Sequence, residues 1–123
     1  MEEQPVYEAS DDSELIGEAL AEEIERLVIA GERLPEKRLL DMGAGSGVLG
    51  LIGARQGMQV TFVDINPKAT AFIEKEIGIE QNIAESEFST YIIISDLFEN
   101  LPRTAYDLIV FNTPYLPDDK EVH

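Results

Sequence analysis

The sequence predicts an α/β fold built on a parallel sheet. Strand-type and helix-type segments alternate along the chain. The strand segments are nearly continuous apolar runs, as in strands covered on both faces. A glycine turn, Gly43-Ala44-Gly45-Ser46-Gly47, joins the first strand to the helix after it. The expected strand order is 3-2-1-4, with right-handed crossovers and helices on both faces.

The segments follow in order. Residues 1–10 are expected to be extended, pinned by Val6 and Tyr7. Asp11, Asp12 and Ser13 are cap-type residues. A helix is expected over 14–30, with Leu15, Ile16, Ala19, Leu20, Ile24, Leu27 and Val28 on one face and Gly31 as its stop. Residues 34–37 connect it to the first strand, 38–42. The next helix covers 46–56, capped by Ser46 and ending near Gly57. The second strand is 59–63. Asn66-Pro67 opens a helix to about Ile77, since proline suits a first turn, and Gly78 ends it. The polar stretch 80–89 leads to a third strand, 90–95. Residues 100–104 form a turn or short helix, and a fourth strand covers 106–111.

Composition sets bounds. The 123 residues fit one domain, 1–123, with residues 1–36 as an amino-terminal segment and helix packing on it. The absence of cysteine excludes disulfides and thiolate metal sites. No run reaches the roughly 18 apolar residues of a membrane span, and Met1-Glu2-Glu3-Gln4 is not a basic signal region. A cytoplasmic protein is the expectation. The net charge is −16, and nine Lys and Arg are few for holding phosphates. Direct nucleic-acid binding is therefore disfavoured, and the acidity is read first as a solvated surface.

The glycine turn differs from the G-x-G-x-x-G of dinucleotide sites. Its spacing is G-x-G-x-G, preceded by Asp41. Asp64 ends the second strand, 21 residues after Gly43. An acid at about that distance is where a ribose hydroxyl pair is held. Asp96 follows the third strand and Asn112 the fourth. In an open parallel sheet all four strand ends face one crevice, and four such ends are far more specific than the glycines alone.

With these residues in view, the chain resembles class I S-adenosylmethionine-dependent methyltransferases. Residues 40–47, Leu-Asp-Met-Gly-Ala-Gly-Ser-Gly, match the family's first motif. Val63-Asp64-Ile65-Asn66-Pro67 matches the second, and Ser95-Asp96-Leu97-Phe98 the third. Asn112-Thr113-Pro114-Tyr115 is similar to the N-P-P-Y motif of enzymes that modify a planar NH2 nitrogen. The opening Val6-Tyr7-Glu8-Ala9-Ser10-Asp11-Asp12-Ser13 resembles that of HemK/PrmC-type enzymes of the archaeal and eukaryotic branch. These methylate the glutamine of a Gly-Gly-Gln loop in class I peptide chain release factors.

The resemblance implies a Rossmann-like fold and S-adenosyl-L-methionine as cofactor, with no metal. It places Asp64 on both ribose hydroxyls, Asp96 on the adenine amino group and Leu97 against the ring. Gly43 and Gly45 meet the methionine portion, Asp41 lies near its ammonium, where an anion is favourable, and Ser13 lies close to the cofactor. Asn112 would carry the substrate chemistry. Its side-chain oxygen, with the carbonyl of Thr113 or Pro114, accepts from the substrate NH2, and Tyr115 stacks on the planar amide. The partners implied are the release factor and a small zinc-binding activator protein.

Two departures stand out. Thr113 replaces the first proline of N-P-P-Y, losing a residue that fixes φ. The family also continues well past this motif, whereas the chain ends at His123. The fold is then expected to stop after strand 4, leaving an apolar edge at about 106–112 to pair with a second copy or a missing segment. The alternatives are a non-catalytic or partner-dependent cofactor-binding fragment, an adenine or cytosine amino methyltransferase, and a nucleotide-dependent oxidoreductase. The glycine spacing and the Asn112 motif disfavour the last.

Overall fold

In the computed structural model, residues 4–96 and 105–111 are described, with side chains from residue 14 onward. Helix α1 (Gln4–Ile29) begins earlier than expected, so the extended reading of residues 1–10 is overturned for 4–10. Pro5 lies in the first turn, where its missing N–H costs nothing. No glycine interrupts the chain until Gly17. Leu20 and Ile24 are buried and Ile16 and Leu27 half-buried, while Leu15, Ala19 and Val28 stay exposed. The buried stripe is thus narrower than the sequence pattern. The helix stops as expected: Gly31 N–H donates to Val28 O at 3.0 Å and Glu32 N–H to Leu27 O at 2.9 Å, satisfying the last carbonyls.

Strands β1 (Arg38–Met42), β2 (Gln59–Asp64), β3 (Ser89–Ile94) and β4 (Leu108–Phe111) form a wholly parallel sheet in the order β3-β2-β1-β4, as expected. Asp41 lies in register with Phe62 and Val110, and Asp64 with Ile94, so the strands finish at one level.

Helix α2 (Val48–Arg55) links β1 to β2, and α3 (Pro67–Ala84) links β2 to β3. Helix α3 does not end at Gly78; it continues two turns and stops at Glu85, whose φ is 54°. One glycine costs about 1 kcal/mol relative to alanine. Against that cost, Arg55 Nε bonds Glu80 Oε1 at 2.8 Å, and Gln81 Oε1 accepts from Phe88 N–H at 2.7 Å, anchoring the last turns.

The helices lie on one face of the sheet among the described residues, which corrects the expectation of cover on both. Both crossovers step in the same direction, and right-handed crossovers then place both helices on the same side. The main core forms there, with Phe62, Leu39, Val60, Leu49, Ile73, Leu20 and Ile24 buried together. A built Cβ on Gly50 of α2 would stand 2.3 Å from Phe62 Cε2, so the absent side chain is what lets α2 lie flat on β2. The opposite face holds a smaller cluster, Leu40, Met42 and Val63, with Ile93 and Tyr106 against it. On that face Tyr91, Ile109 and Phe111 are 60%, 52% and 44% exposed. No helix of the described residues is long and apolar enough to cross a membrane.

Candidate cofactor crevice

The crevice is built where β1, β2 and β3 end. After Met42 the chain turns through Gly43, Gly45 and Gly47, with φ of 71°, 57° and 80°. Left-handed backbone at three alternate positions strains any residue with a Cβ, so this turn requires glycine. Gly43 N–H and Ala44 N–H both donate to Val63 O at 2.9 Å, and Gly47 N–H to Ala44 O at 2.8 Å. Gly45 and Ser46 are exposed at the tip.

Asp64 ties the turn down. Its Oδ2 accepts from Gly45 N–H at 2.8 Å and its Oδ1 from Asn66 N–H at 2.9 Å. The carboxylate is only half-buried, so it retains capacity to accept further hydrogen bonds. Asn66 in turn caps α3, its Oδ1 accepting from Lys68 N–H at 2.9 Å. Ser95, buried, donates its N–H to Asp64 O at 3.1 Å, which brings the end of β3 beside that of β2. Asp96 follows it and is exposed.

Asp41 lies behind the turn. It is fully buried, and its Oδ2 accepts from Gly50 N–H at 2.8 Å. That amide is one of the first of α2, left without an intrahelical partner. The expected cap on α2 was Ser46. Instead Gly47 stands at the cap position with no side-chain bond, and the buried acid of β1 serves the helix end. Asp41 Oδ1 has no partner among the described residues. Burial pushes the Asp41 carboxyl up to about 7; the Gly50 bond opposes this and the negative charge of Asp64 adds to it.

The structure therefore brings together Asp41, Gly43, Gly45, Asp64 and Asp96. Ser13 lies within α1, and its side chain is outside the described residues, as are Leu97, Asn112, Thr113, Pro114 and Tyr115. Sequence reasoning missed the anchoring of α2 by Asp41. The available signal was an acid ending an apolar strand nine residues before a helical glycine, Gly50.

The model of the family described as methyltransferase small domain matches residues 16–123. The chain belongs to this family. Among relatives of this methyltransferase small domain, the release factor glutamine methyltransferase of Fusobacterium nucleatum is 33% identical over 100 residues, covering 79% of the chain and 27% of that protein. The tRNA1(Val) (adenine(37)-N6)-methyltransferase of Vibrio campbellii is 33% identical over 86 residues, covering 67% of the chain and 34% of that protein. The chain thus spans about a third or less of these relatives' length. A solved structure, the T. thermophilus 16S rRNA N2 G1207 methyltransferase in complex with AdoMet and guanosine, superposes with a TM-score of 0.61 at 33% identity, covering 82% of this chain and 26% of that one.

The donor set of this methyltransferase small domain suits a cationic nucleoside ligand better than a phosphate. The acids Asp41, Asp64 and Asp96 gather at the strand ends, and a half-buried carboxylate with free lone pairs matches a hydroxyl pair. Asp41 Oδ1 is a buried carboxyl oxygen with no hydrogen-bond partner among the described residues.

Proposed function

We propose that the chain is the cofactor-binding part of an S-adenosylmethionine-dependent N-methyltransferase whose acceptor is the glutamine side-chain amide of the Gly-Gly-Gln loop of a class I release factor. The observation that carries the cofactor assignment is the half-buried Asp64 carboxylate at the end of β2, bonded to Gly45 N–H of the glycine turn. The release factor glutamine methyltransferase relative supports the acceptor.

In this reading Asp64 accepts from both ribose hydroxyls, Asp96 from the adenine amino group, and Leu97 packs on the ring. Gly43 and Gly45 leave room for the methionine portion, Asp41 supplies negative charge beneath it, and Ser13 lies close by. The cofactor, when bound, supplies a methyl group on an electrophilic sulfonium. Asn112 and the carbonyls beside it hold the substrate NH2 by accepting its protons, and Tyr115 stacks on the amide plane. Pro114 stiffens that segment. Orientation is the main contribution, because an amide nitrogen is a weak nucleophile and a well-placed pair of reactants removes much of the barrier.

A second reading, methylation of an exocyclic amino group in RNA, is favoured by the tRNA and rRNA methyltransferase relatives. The net charge of −16 opposes it unless a partner supplies a basic surface. Labelled methyl transfer from S-adenosylmethionine, offered side by side to a release factor and to transfer RNA and ribosomal RNA, separates the two. Label on the release factor that disappears when its Gly-Gly-Gln glutamine is replaced by alanine is the expected result. Label on RNA alone would transfer the assignment to the second reading.

A further inference from the structure

Asp41 lies buried behind the glycine turn, beside Asp64, with no cation bonded to it among the described residues. Asp41 is fully buried, with one amide donor from Gly50 and a second oxygen without a partner. Desolvation at such a position disfavours the charged carboxylate. Its electrostatic surroundings offer no relief among the described residues. On α2 the charged residue is Arg55, at the opposite helix end and bonded to Glu80. On β2 it is Asp64, which adds negative charge. Strand β4 carries no charged residue, and Asp107 before it is bonded to Arg38 N–H and near Lys37, at the far end of the strands. On α3 the cations Lys68 and Lys75 are exposed, and the acids and Arg26 of α1 from Glu14 onward are exposed as well.

We propose that Asp41 keeps its proton while the crevice is empty and releases it to solvent when a sulfonium-bearing amino-acid nucleoside binds, so that cofactor binding is coupled to ionisation of the residue that anchors α2. This rests on the cofactor assignment made above. Asp41 is here a positioning residue: it acts through Gly50 and the glycine turn, and its negative charge develops when the ligand brings the missing positive one. The proton leaves the Oδ1 side, which has no partner, while Oδ2 stays on Gly50 N–H and becomes a stronger acceptor for it.

The coupling has a definite sign. Below neutrality the empty protein holds the extra proton, and the ligand must displace it, so affinity rises with pH and levels off above about 7. Each unit by which the ligand lowers the Asp41 pKa yields up to about tenfold in affinity across that range. S-adenosylhomocysteine lacks the sulfonium charge and drives less release.

The test uses the full chain. Calorimetric titrations with S-adenosylmethionine and with S-adenosylhomocysteine, from pH 6 to 8 in buffers of high and low ionisation enthalpy, read the protons released. The wild type should release more with the sulfonium ligand, and its affinity should rise several-fold with pH. In Asp41→Asn the difference in proton release between the two ligands should vanish, leaving only titration of the ligand's own amino group. Equal proton release in the two proteins would overturn the proposal. Carbon-13 NMR of the Asp41 carboxyl in the wild type gives a check that needs no variant. Its midpoint should lie near neutrality in the free chain and move lower with S-adenosylmethionine bound; an unmoved midpoint in the saturated complex would also overturn it. A midpoint near neutrality with no binding of either ligand would sink the cofactor assignment instead, and with it the coupling, while leaving the protonated Asp41 of the free chain established.

Discussion

Asp64 Oδ2 accepts the backbone amide of Gly45 at 2.8 Å, fastening the glycine turn after β1 to the end of β2. The bond links two residues that are 19 positions apart in sequence. It also fixes which way the remaining lone pairs of Asp64 face. The same carboxylate is thus a structural tie and, in the function proposed, the ribose ligand.

Gly50 is a packing position. An alanine there places its Cβ 2.3 Å from a Phe62 ring carbon, a separation that forces α2 or the ring to move. Gly50→Ala should destabilise the chain by about 1–3 kcal/mol, read as a lower midpoint in urea. Adding Phe62→Leu should recover part of the loss, because the crowded ring atoms are gone.

Asn66 separates stability from binding. Its side chain caps α3 through Lys68 N–H, whereas its bond to Asp64 uses the backbone amide. Asn66→Ala should therefore cost about 1 kcal/mol of stability and lower the melting temperature. The affinity for S-adenosylmethionine, measured well below the melting range, should change less than twofold.

Asp41 makes stability depend on pH. Its carboxyl titrates near 7 when folded, against an ordinary value of 3.8. Between those values the folded chain holds the extra proton, so the contribution is fully present below about 4 and is lost as pH rises through about 7. Relative to Asp41→Asn, the wild type should lose on the order of 4 kcal/mol over this range. Urea midpoints for both proteins at pH 4.5, 6 and 7.5 measure the difference, which should shrink and then level off.

Thr113 stands where the N-P-P-Y pattern has proline. Restoring a fixed φ next to Asn112 should hold the segment proposed to bind the acceptor more tightly. Thr113→Pro should raise the rate of methyl transfer by a few-fold to ~100-fold and leave cofactor affinity unchanged. Single-turnover kinetics with saturating cofactor would show it, and an unchanged rate would favour a cofactor-binding fragment without its own activity.

The sheet was legible in the sequence because each strand is an apolar run closed by a polar residue, as Val60-Thr61-Phe62-Val63 is by Asp64. The strand order β3-β2-β1-β4 is the one expected, and right-handed crossovers set which face the helices cover. The glycine turn and Asp64 were legible for the same reason. What was hidden depends on three-dimensional neighbours. Asp41 reads as another crevice acid until the amide of Gly50, nine positions on, is seen against it. Gly78 reads as a stop until Glu80 and Gln81 are found bonded to Arg55 and Phe88. The strand pattern, apolar on both faces, predicted helices on both, whereas two crossovers running the same way leave Tyr91, Ile109 and Phe111 exposed on the second face.

Calorimetric titration of the chain with S-adenosylmethionine, repeated with Asp64→Ala, tests the central claim most directly. The account predicts saturable binding by the wild type and a loss of at least tenfold in affinity in the variant, with the variant still folded by circular dichroism. Wild-type affinity retained in a folded Asp64→Ala protein would contradict it.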